Sequence, residues 1–144
     1  MSRSEEVTYE PFLESHLEGV VALCRELSWQ SYSDSATTLG AFSAPGAVTW
    51  VARRGADVVG LAHLLTDGLI QAHLSLVGVL PAYRRQGVAR VLVREAFRAG
   101  GGKWLDLVSE PGSEQFYRSF LNQQRIGFRI YPVEPTRGSD EGGV

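Results

Sequence analysis

The feature that most restricts the fold of this 144-residue chain is an Asp67-Gly68 pair that separates two long apolar runs. Residues 57–66 and 69–79 are rich in Val and Leu, and each run is long enough to form a β-strand. Aspartate and glycine both tolerate positive φ, so this pair between two such runs predicts an antiparallel β-hairpin.

The hairpin carries two of the three histidines of the chain. A two-residue loop would pair His63 with Ala72 and would place His63 and His73 on opposite faces of the sheet, because side chains alternate along a strand. We therefore expect that the two histidines do not share a metal site.

The rest of the sequence alternates between helical and strand patterns. A short strand precedes the first helix, and glycines 100–102 end the helix that begins near Gly87. The remaining patterns predict helices over residues 12–28, 34–42 and 113–121, and strands over residues 47–53, 103–108 and 125–133. This order predicts an α/β (α+β) fold with a mixed, mostly antiparallel central sheet and helices on both faces.

Composition excludes several classes of protein. Lys plus Arg total 14 and Asp plus Glu total 16, a net charge of −2 that argues against nucleic acid as a partner. No apolar run approaches the ~20 residues of a membrane helix, and the first residues lack a signal-type apolar stretch. The single cysteine, Cys24, lies on the apolar stripe of the first helix, where we expect a small buried side chain. We therefore expect a cytoplasmic protein with no membrane partner, and flexible or disordered ends at residues 1–6 and 135–144.

The segment from Val77 to Val93 is the most informative for function. A strand ends, Pro81 interrupts it, and a helix opens at Gly87 directly after Arg84 and Arg85. The first N–H groups of a helix lack intrahelical partners and favour negative charge, so this segment predicts a site for a phosphate or diphosphate. Neither Gly-x-x-x-x-Gly-Lys-Ser/Thr nor Gly-x-Gly-x-x-Gly occurs in the chain.

These residues resemble the signature of the GCN5-related N-acetyltransferases (GNAT family). That signature is Arg/Gln-x-x-Gly-x-Gly/Ala after a strand that ends in Val-x-Pro. Here it reads Val79-Leu80-Pro81 followed by Arg84-x-x-Gly87-x-Ala89. The resemblance extends from about residue 7 to residue 133 and implies one acyl-CoA N-acyltransferase domain over residues 7–134.

The resemblance implies acetyl-CoA as the co-substrate, with no metal. Amides at the start of the helix would hold the pyrophosphate, and the edge of the preceding strand would pair with the pantetheine arm. The cofactor-binding residues that it implies are Leu76, Val77, Gly78, Val79, Arg84, Arg85, Gln86, Gly87, Val88, Ala89 and Arg90.

The resemblance also implies a general acid. Phe116-Tyr117 matches the family's Phe-Tyr pair, whose tyrosine often protonates the departing thiolate. Two features depart from the family pattern. Glu110 and Ser113 stand where Asn and Ala are usual, and Gly127-Phe128 follows Tyr117 by ten residues instead of about four. The intervening residues 120–126 have the character of an insertion that could shape an acceptor pocket.

The reaction also needs a base, because an alkylamine is protonated at neutral pH. His73 is the first candidate, since it lies on the strand before the motif, where some relatives carry a glutamate base. A histidine packed under a helix is the alternative reading. Weaker candidates for the base are Asp67, Glu26 and His63, and candidates to line an acceptor cleft are Trp29, Tyr32 and Tyr131.

The resemblance thus implies an N-acetyltransferase that moves an acetyl group to a primary amine of a small molecule or peptide. The buried position expected for Cys24 favours direct attack without an acyl-enzyme. A catalytically silent acyl-CoA-binding or sensor domain of the same fold remains an alternative, as does a nucleotide-binding regulator. Both a monomer and a homodimer are compatible with the pattern.

Overall fold

A computed structural model describes residues 6–133, so the predicted tail at 135–144 and most of the predicted flexible N-terminus lie outside the described residues. Contacts divide the chain into two compact units, which meet in sequence between Leu107 and Val108. The elements are β1 (Val7–Pro11), α1 (Leu17–Glu26), α2 (Ser35–Phe42), β2 (Ala47–Arg54), β3 (Asp57–Thr66), β4 (Gln71–Val79), α3 (Val88–Gly100), β5 (Trp104–Asp106) and α4 (Glu114–Arg118).

The first unit contains a five-stranded sheet in the order β1-β2-β3-β4-β5. The first three pairings are antiparallel and the β4–β5 pairing is parallel. This mixed sheet, with helices packed on it, confirms the fold class predicted from the sequence.

One face of the sheet is covered by α1 and α2. The apolar stripe of α1 places Val20, Leu23 and Cys24 in a buried cluster with Val51 and Leu61 of the sheet. Helix α2 begins as predicted, because the Asp34 side chain accepts a hydrogen bond from the Thr37 backbone N–H at 2.8 Å.

Helix α3 covers the opposite face. Its buried residues recur at three- and four-residue spacing and are Val88, Leu92, Val93, Ala96 and Gly100. A Cβ added at Gly60 of β3 would lie 3.2 Å from Leu92 Cδ1, so the small side chain lets the helix approach the sheet closely. The helix ends at the glycines predicted to end it, where Gly101 has φ 73°.

The hairpin is antiparallel as predicted, but its predicted register is wrong. Thr66 pairs with Ala72, so five residues, 67–71, separate the last paired residues instead of two. Asp67 explains the longer loop, because its Oδ1 accepts hydrogen bonds from the backbone N–H groups of Leu69, Ile70 and Gln71.

The new register places the two histidines on the same face of the sheet. His73 pairs with Leu65, which lies two residues from His63 on β3 and therefore shares its face. The predicted opposite placement of His63 and His73 is therefore wrong, because the side chain of Asp67 sets the register of the hairpin.

The second unit contains the short helix α4, in the region predicted to be helical. The predicted strand over 125–133 is wrong, because the structure assigns no strand to these residues. Their apolar side chains are exposed, for example Phe128 at 83 % and Ile130 at 91 %.

Candidate active site

The edge of β4 is open over most of its length. Strand β5 pairs only with the first three residues of β4, Gln71–His73. From Leu74 to Val79, the sheet gives β4 a neighbour on the β3 side alone. Except for the Val79 carbonyl, which accepts a hydrogen bond from Arg84 Nε, the backbone groups on the other side of this stretch can pair with a ligand that binds as an extended chain.

A β-bulge lies where β4 and β5 separate. His63 pairs with Leu76 while Leu64 pairs with Leu74, which leaves Ser75 as the extra residue on β4. A bulge interrupts the regular hydrogen bonding of a strand and bends it, and bulges are common next to active sites. The bulge thus lies just beyond His73, the last residue of β4 that pairs with β5.

The N-terminus of α3 comes next along the chain, after the loop of residues 80–87. Gly87 is its N-cap residue with φ 82°, and no side chain among the described residues caps the helix there. Arg85 has φ 62°, a conformation unusual for a side chain with a Cβ. The first N–H groups of a helix carry a partial positive charge, so this terminus suits a phosphate.

The loop that leads to α3 is held by side chains. Arg84 Nε donates a hydrogen bond to the carbonyl of Val79 at 2.9 Å, and Gln86 Nε2 donates to the carbonyl of Ala82 at 3.2 Å. Arg54 Nη1 of β2 also donates to the Tyr83 hydroxyl at 3.3 Å. Arg84 therefore has a structural role at the end of β4. This role is additional to the positive charge that it was predicted to supply near the helix.

Trp29 packs against the end of β4. A Cβ added at Gly78 would lie 2.6 Å from Trp29 Cη2 and 2.7 Å from Leu27 Cδ1. Glycine therefore leaves the space that the indole occupies against the strand at this position. The Trp29 ring is partly exposed. It packs against β4 at the border of the face on which the histidines lie.

His63 is a core residue. It is 3 % exposed, its Nδ1 lies 2.7 Å from Thr49 Oγ1, and its ring stacks on Phe42 with centroids 4.5 Å apart. Burial lowers the pKa of His63 to about 4, because the charged imidazolium loses its hydration. The side chain therefore stays neutral and enclosed. Tyr32 belongs to the same aromatic cluster, 5.5 Å from Phe42.

His73 instead lines an open cleft of about 540 Å³. It is exposed, and Asp106 of β5 is its partner in the parallel register. The remaining lining residues come from the turn before β2 and from the hairpin: Pro45, Gly46, Leu65, Thr66, Asp67, Gln71 and Ala72.

Asp106 was missed by the sequence reasoning, although its strand was predicted. The available signal was the parallel pairing of β4 with β5, which brings residues distant in sequence to neighbouring positions. An imidazole beside a carboxylate is a common arrangement for holding a ring in one orientation.

The two weaker carboxylate candidates have other environments. Asp67 is committed to the hairpin loop, and its pKa is lowered chiefly by the hydrogen bonds from the Ile70 and Leu69 N–H groups. Glu26 is an exposed residue at the C-terminus of α1. Asp67 does line the cleft, where its ionised side chain contributes negative charge.

Tyr117 lies on α4 in the second unit. Burial raises its pKa, and the nearby carboxylate of Glu110 raises it further. Its ring packs edge-on against Phe116 with centroids 5.0 Å apart. The phenol therefore keeps its proton at neutral pH, as a proton donor must.

Cys24 has the environment of a core residue. It is 0 % exposed, and burial raises its pKa to about 11. The thiol is neither accessible nor ionised at neutral pH, which makes it a poor nucleophile.

Among residues 6–133, no group of three or more His, Cys, Asp or Glu side chains could hold a metal ion. None of the helices described is both long enough and apolar enough to cross a membrane.

Comparison with known families gives one match, the acetyltransferase (GNAT) domain, over residues 45–120. This range is more than half of the chain and contains β4, α3 and Tyr117. No curated protein matches the sequence of the chain.

Solved structures share the fold. An acetyltransferase from Trypanosoma brucei superposes with a TM-score of 0.70 at 23 % identity, and the match covers 88 % of this chain and 99 % of that one. The aminoglycoside acetyltransferase AAC(6')-Iy, bound to a CoA bisubstrate analogue, gives 0.71 at 20 % identity and 89 % and 99 % coverage. An aminoglycoside acetyltransferase from an uncultured soil metagenomic sample, in complex with sisomicin, gives 0.72 at 16 % identity and 89 % and 97 % coverage.

Proposed function

Because this chain belongs to the GNAT acetyltransferases, we propose that it transfers an acetyl group from acetyl-CoA to a primary amine of a small molecule or peptide. One observation carries the proposal. Strand β4 leaves β5 after His73, and the open stretch is followed, after the loop of residues 80–87, by a helix N-terminus that no described side chain caps.

The residues of this region fit the co-substrate. The N–H groups at the start of α3 suit its diphosphate, and Arg85 adds positive charge beside them. The open edge from Leu76 to Val79 suits the amide-containing pantetheine arm, which can pair with it as a strand would. When bound, acetyl-CoA supplies the activated acyl group as a thioester.

We assign the role of base to His73. It is exposed on the cleft, and it lies two residues before the bulge at Ser75 on the same strand. An amine must lose a proton to attack, and a histidine can accept it directly or through water near neutral pH. Asp106, the register partner of His73, would stabilise the imidazolium that forms.

Tyr117 is the proposed acid. Its raised pKa keeps the phenol protonated, so it can donate its proton to the departing thiolate of CoA. The buried thiol of Cys24 supports direct transfer from donor to amine, since a covalent acyl-cysteine would need an accessible thiolate.

The acceptor amine is assigned to the cleft beside His73. Asp67 and Asp106 line it, and their carboxylates favour a cationic substrate. Sisomicin, the aminoglycoside in the soil enzyme complex, is an amine of this kind and is a sensible first test compound.

The test measures release of CoA thiol from acetyl-CoA with a panel of amines that includes diamines, peptide amines and sisomicin. We expect at least one amine to raise the rate well above hydrolysis. Binding of CoA with no transfer to any amine would favour the silent acyl-CoA-binding alternative. Tighter binding of ATP than of acetyl-CoA would favour a nucleotide-binding regulator.

Substitution Tyr117→Phe tests the proposed acid in the same assay. Loss of the phenolic proton should lower the turnover number by about 100-fold, within the range typical of general acid catalysis. The KM for acetyl-CoA should change little, because the aromatic ring remains. An unchanged turnover number would show that the thiolate leaves without this proton.

A further inference from the structure

Trp104 is the most exposed of the three tryptophans of the chain. It is 46 % exposed, whereas Trp29 and Trp50 are both partly buried. Trp104 is the first residue of β5, and its partner in the parallel register is Gln71 of β4. Removal of a large aromatic ring from water is favourable, so an indole left this open on a sheet offers binding free energy to a ligand.

Trp104 lies on the same face of the sheet as His73. Paired residues of neighbouring strands share a face, and side chains alternate along a strand, so Trp104 and Asp106 project on the side of their partners on β4. Leu105 lies between them and pairs with the buried Ala72, which is the pattern of the opposite face. The open face around His73 therefore continues to Trp104.

Apolar side chains border the cleft that His73 lines. Leu65 lines it and is the antiparallel partner of His73. Gln71 also lines the cleft, which places its partner Trp104 at the rim. The carboxylate of Asp106 lines the same space. This combination of apolar surface and negative charge suits a ligand with one apolar part and one cationic part.

The order of these groups along the strands gives the ligand a direction. The pantetheine arm is proposed to follow β4 beyond His73, and Trp104 lies on the other side of that histidine. Two residues of a strand span about 6.6 Å, which is the separation of Trp104 from Asp106 along β5. An aromatic ring joined to an amine by a short carbon chain spans this distance. The cleft volume of about 540 Å³ admits a small molecule of this kind.

Building on the acetyl transfer proposed above, we propose that the acceptor is a small primary amine that carries an aromatic ring. The ring stacks on Trp104, and the nitrogen lies beside His73 and Asp106. The nitrogen forms a bond to the acetyl carbon, and the carbon–sulfur bond of the thioester breaks. The ammonium group loses two protons in all. One goes through His73 to solvent, and the other replaces the proton that Tyr117 gives to the thiolate of CoA.

Three amines of graded shape test the role of Trp104: 2-phenylethylamine, 2-cyclohexylethylamine and propylamine. We expect kcat/KM to be highest for 2-phenylethylamine. Trp104→Ala should lower that value by about three- to tenfold, the factor expected for loss of an aromatic pair. The loss should appear in KM with kcat nearly unchanged, because the indole does not touch the reacting atoms. The other two amines, which lack an aromatic ring, should lose less.

Two matched variants control for a purely structural effect. Trp104→Phe keeps an aromatic ring and should retain most of the preference for 2-phenylethylamine. Leu13→Ala removes an apolar side chain that is 58 % exposed and does not line the cleft, so kcat/KM should stay the same for all three amines. The midpoint of thermal unfolding should be similar for the native chain and all three variants, since each change is at an exposed position.

The outcomes separate this assignment from the proposed function. If amines are acetylated but Trp104→Ala lowers kcat/KM equally for all three or not at all, Trp104 is not a stacking residue and acetyl transfer still stands. Acetylation of other amines but not of 2-phenylethylamine would also overturn the assignment.

If no amine of any kind is acetylated, the proposed function fails, and calorimetry with 2-phenylethylamine decides about the binding site. A dissociation constant that Trp104→Ala raises by about three- to tenfold would support the site. No binding, or equal binding to the native chain and Trp104→Ala, would overturn it.

Discussion

The two histidines of the β3–β4 hairpin lie on the same face of the sheet, but their surroundings differ. Around His63 the face is closed, with Phe42 stacked on the imidazole and Trp29 packed against Gly78 farther along β4. Around His73 the face is open, and a cleft there is lined by the hairpin, the turn before β2 and Asp106. The comparison shows that the packing around each position, rather than the residue type, decides which histidine is accessible.

The largest expected effect comes from the open region. His73→Ala removes the proposed base, so transfer to a protonated amine should slow by about 100-fold to 10,000-fold near neutral pH. The side chain is exposed, so the midpoint of thermal unfolding should hardly change. Steady-state kinetics and thermal unfolding of the same preparations measure both quantities.

The matched control is His63→Gln in the closed region. The amide can keep a hydrogen bond to Thr49, so acetyl transfer near neutral pH should persist. If the two substitutions slowed transfer equally, the assignment of chemistry to the open region would be wrong.

The next expected effect is a pH dependence of stability that comes from the buried His63. Burial lowers the pKa of His63 to about 4, whereas an imidazole in an unfolded chain titrates near 6.5. Between these values the unfolded chain binds more protons, so the free energy of unfolding should fall by about 3 kcal/mol as the pH drops from about 6.5 to about 4. Urea unfolding at several pH values should show this loss in the native chain, and His63→Gln should reduce it. Parallel curves for the two proteins would contradict the burial of a neutral His63.

A smaller effect tests the packing of the closed region on β4. Gly78→Ala places a Cβ against Trp29 and Leu27, and should lower the free energy of unfolding by about 1–3 kcal/mol. Gly40→Ala is the matched control, because a Cβ at Gly40 on α2 meets nothing within 4 Å. That change should raise stability by about 0.5–1 kcal/mol, as expected for alanine in a helix. Similar stability changes for both variants would show that Trp29 does not constrain the strand.

Much of the fold could be predicted from local pattern. The Asp34 cap, the strand over residues 57–66 and the glycines that end α3 each follow from residues close in sequence. The register of the hairpin could not be predicted, because it depends on three hydrogen bonds to one side chain, Asp67.

In the candidate site too, one part could be predicted from the sequence and another part could not. The motif from Arg84 to Ala89 marks the helix N-terminus in the sequence itself, and the structure describes a helix without a side-chain cap there. The sequence could not show that His63 is enclosed while His73 is exposed, because this depends on where the helices pack on the sheet. Asp106 became a site residue only through the parallel pairing of β5 with β4.

The most direct test of the central claim is a crystal structure of the protein with acetyl-CoA. We expect the diphosphate on the N–H groups of Val88 to Arg90, the pantetheine arm along Leu76 to Val79, and the acetyl group on the side of the sheet that carries His73. A diphosphate bound elsewhere, or an arm that does not follow the open edge of β4, would contradict this account.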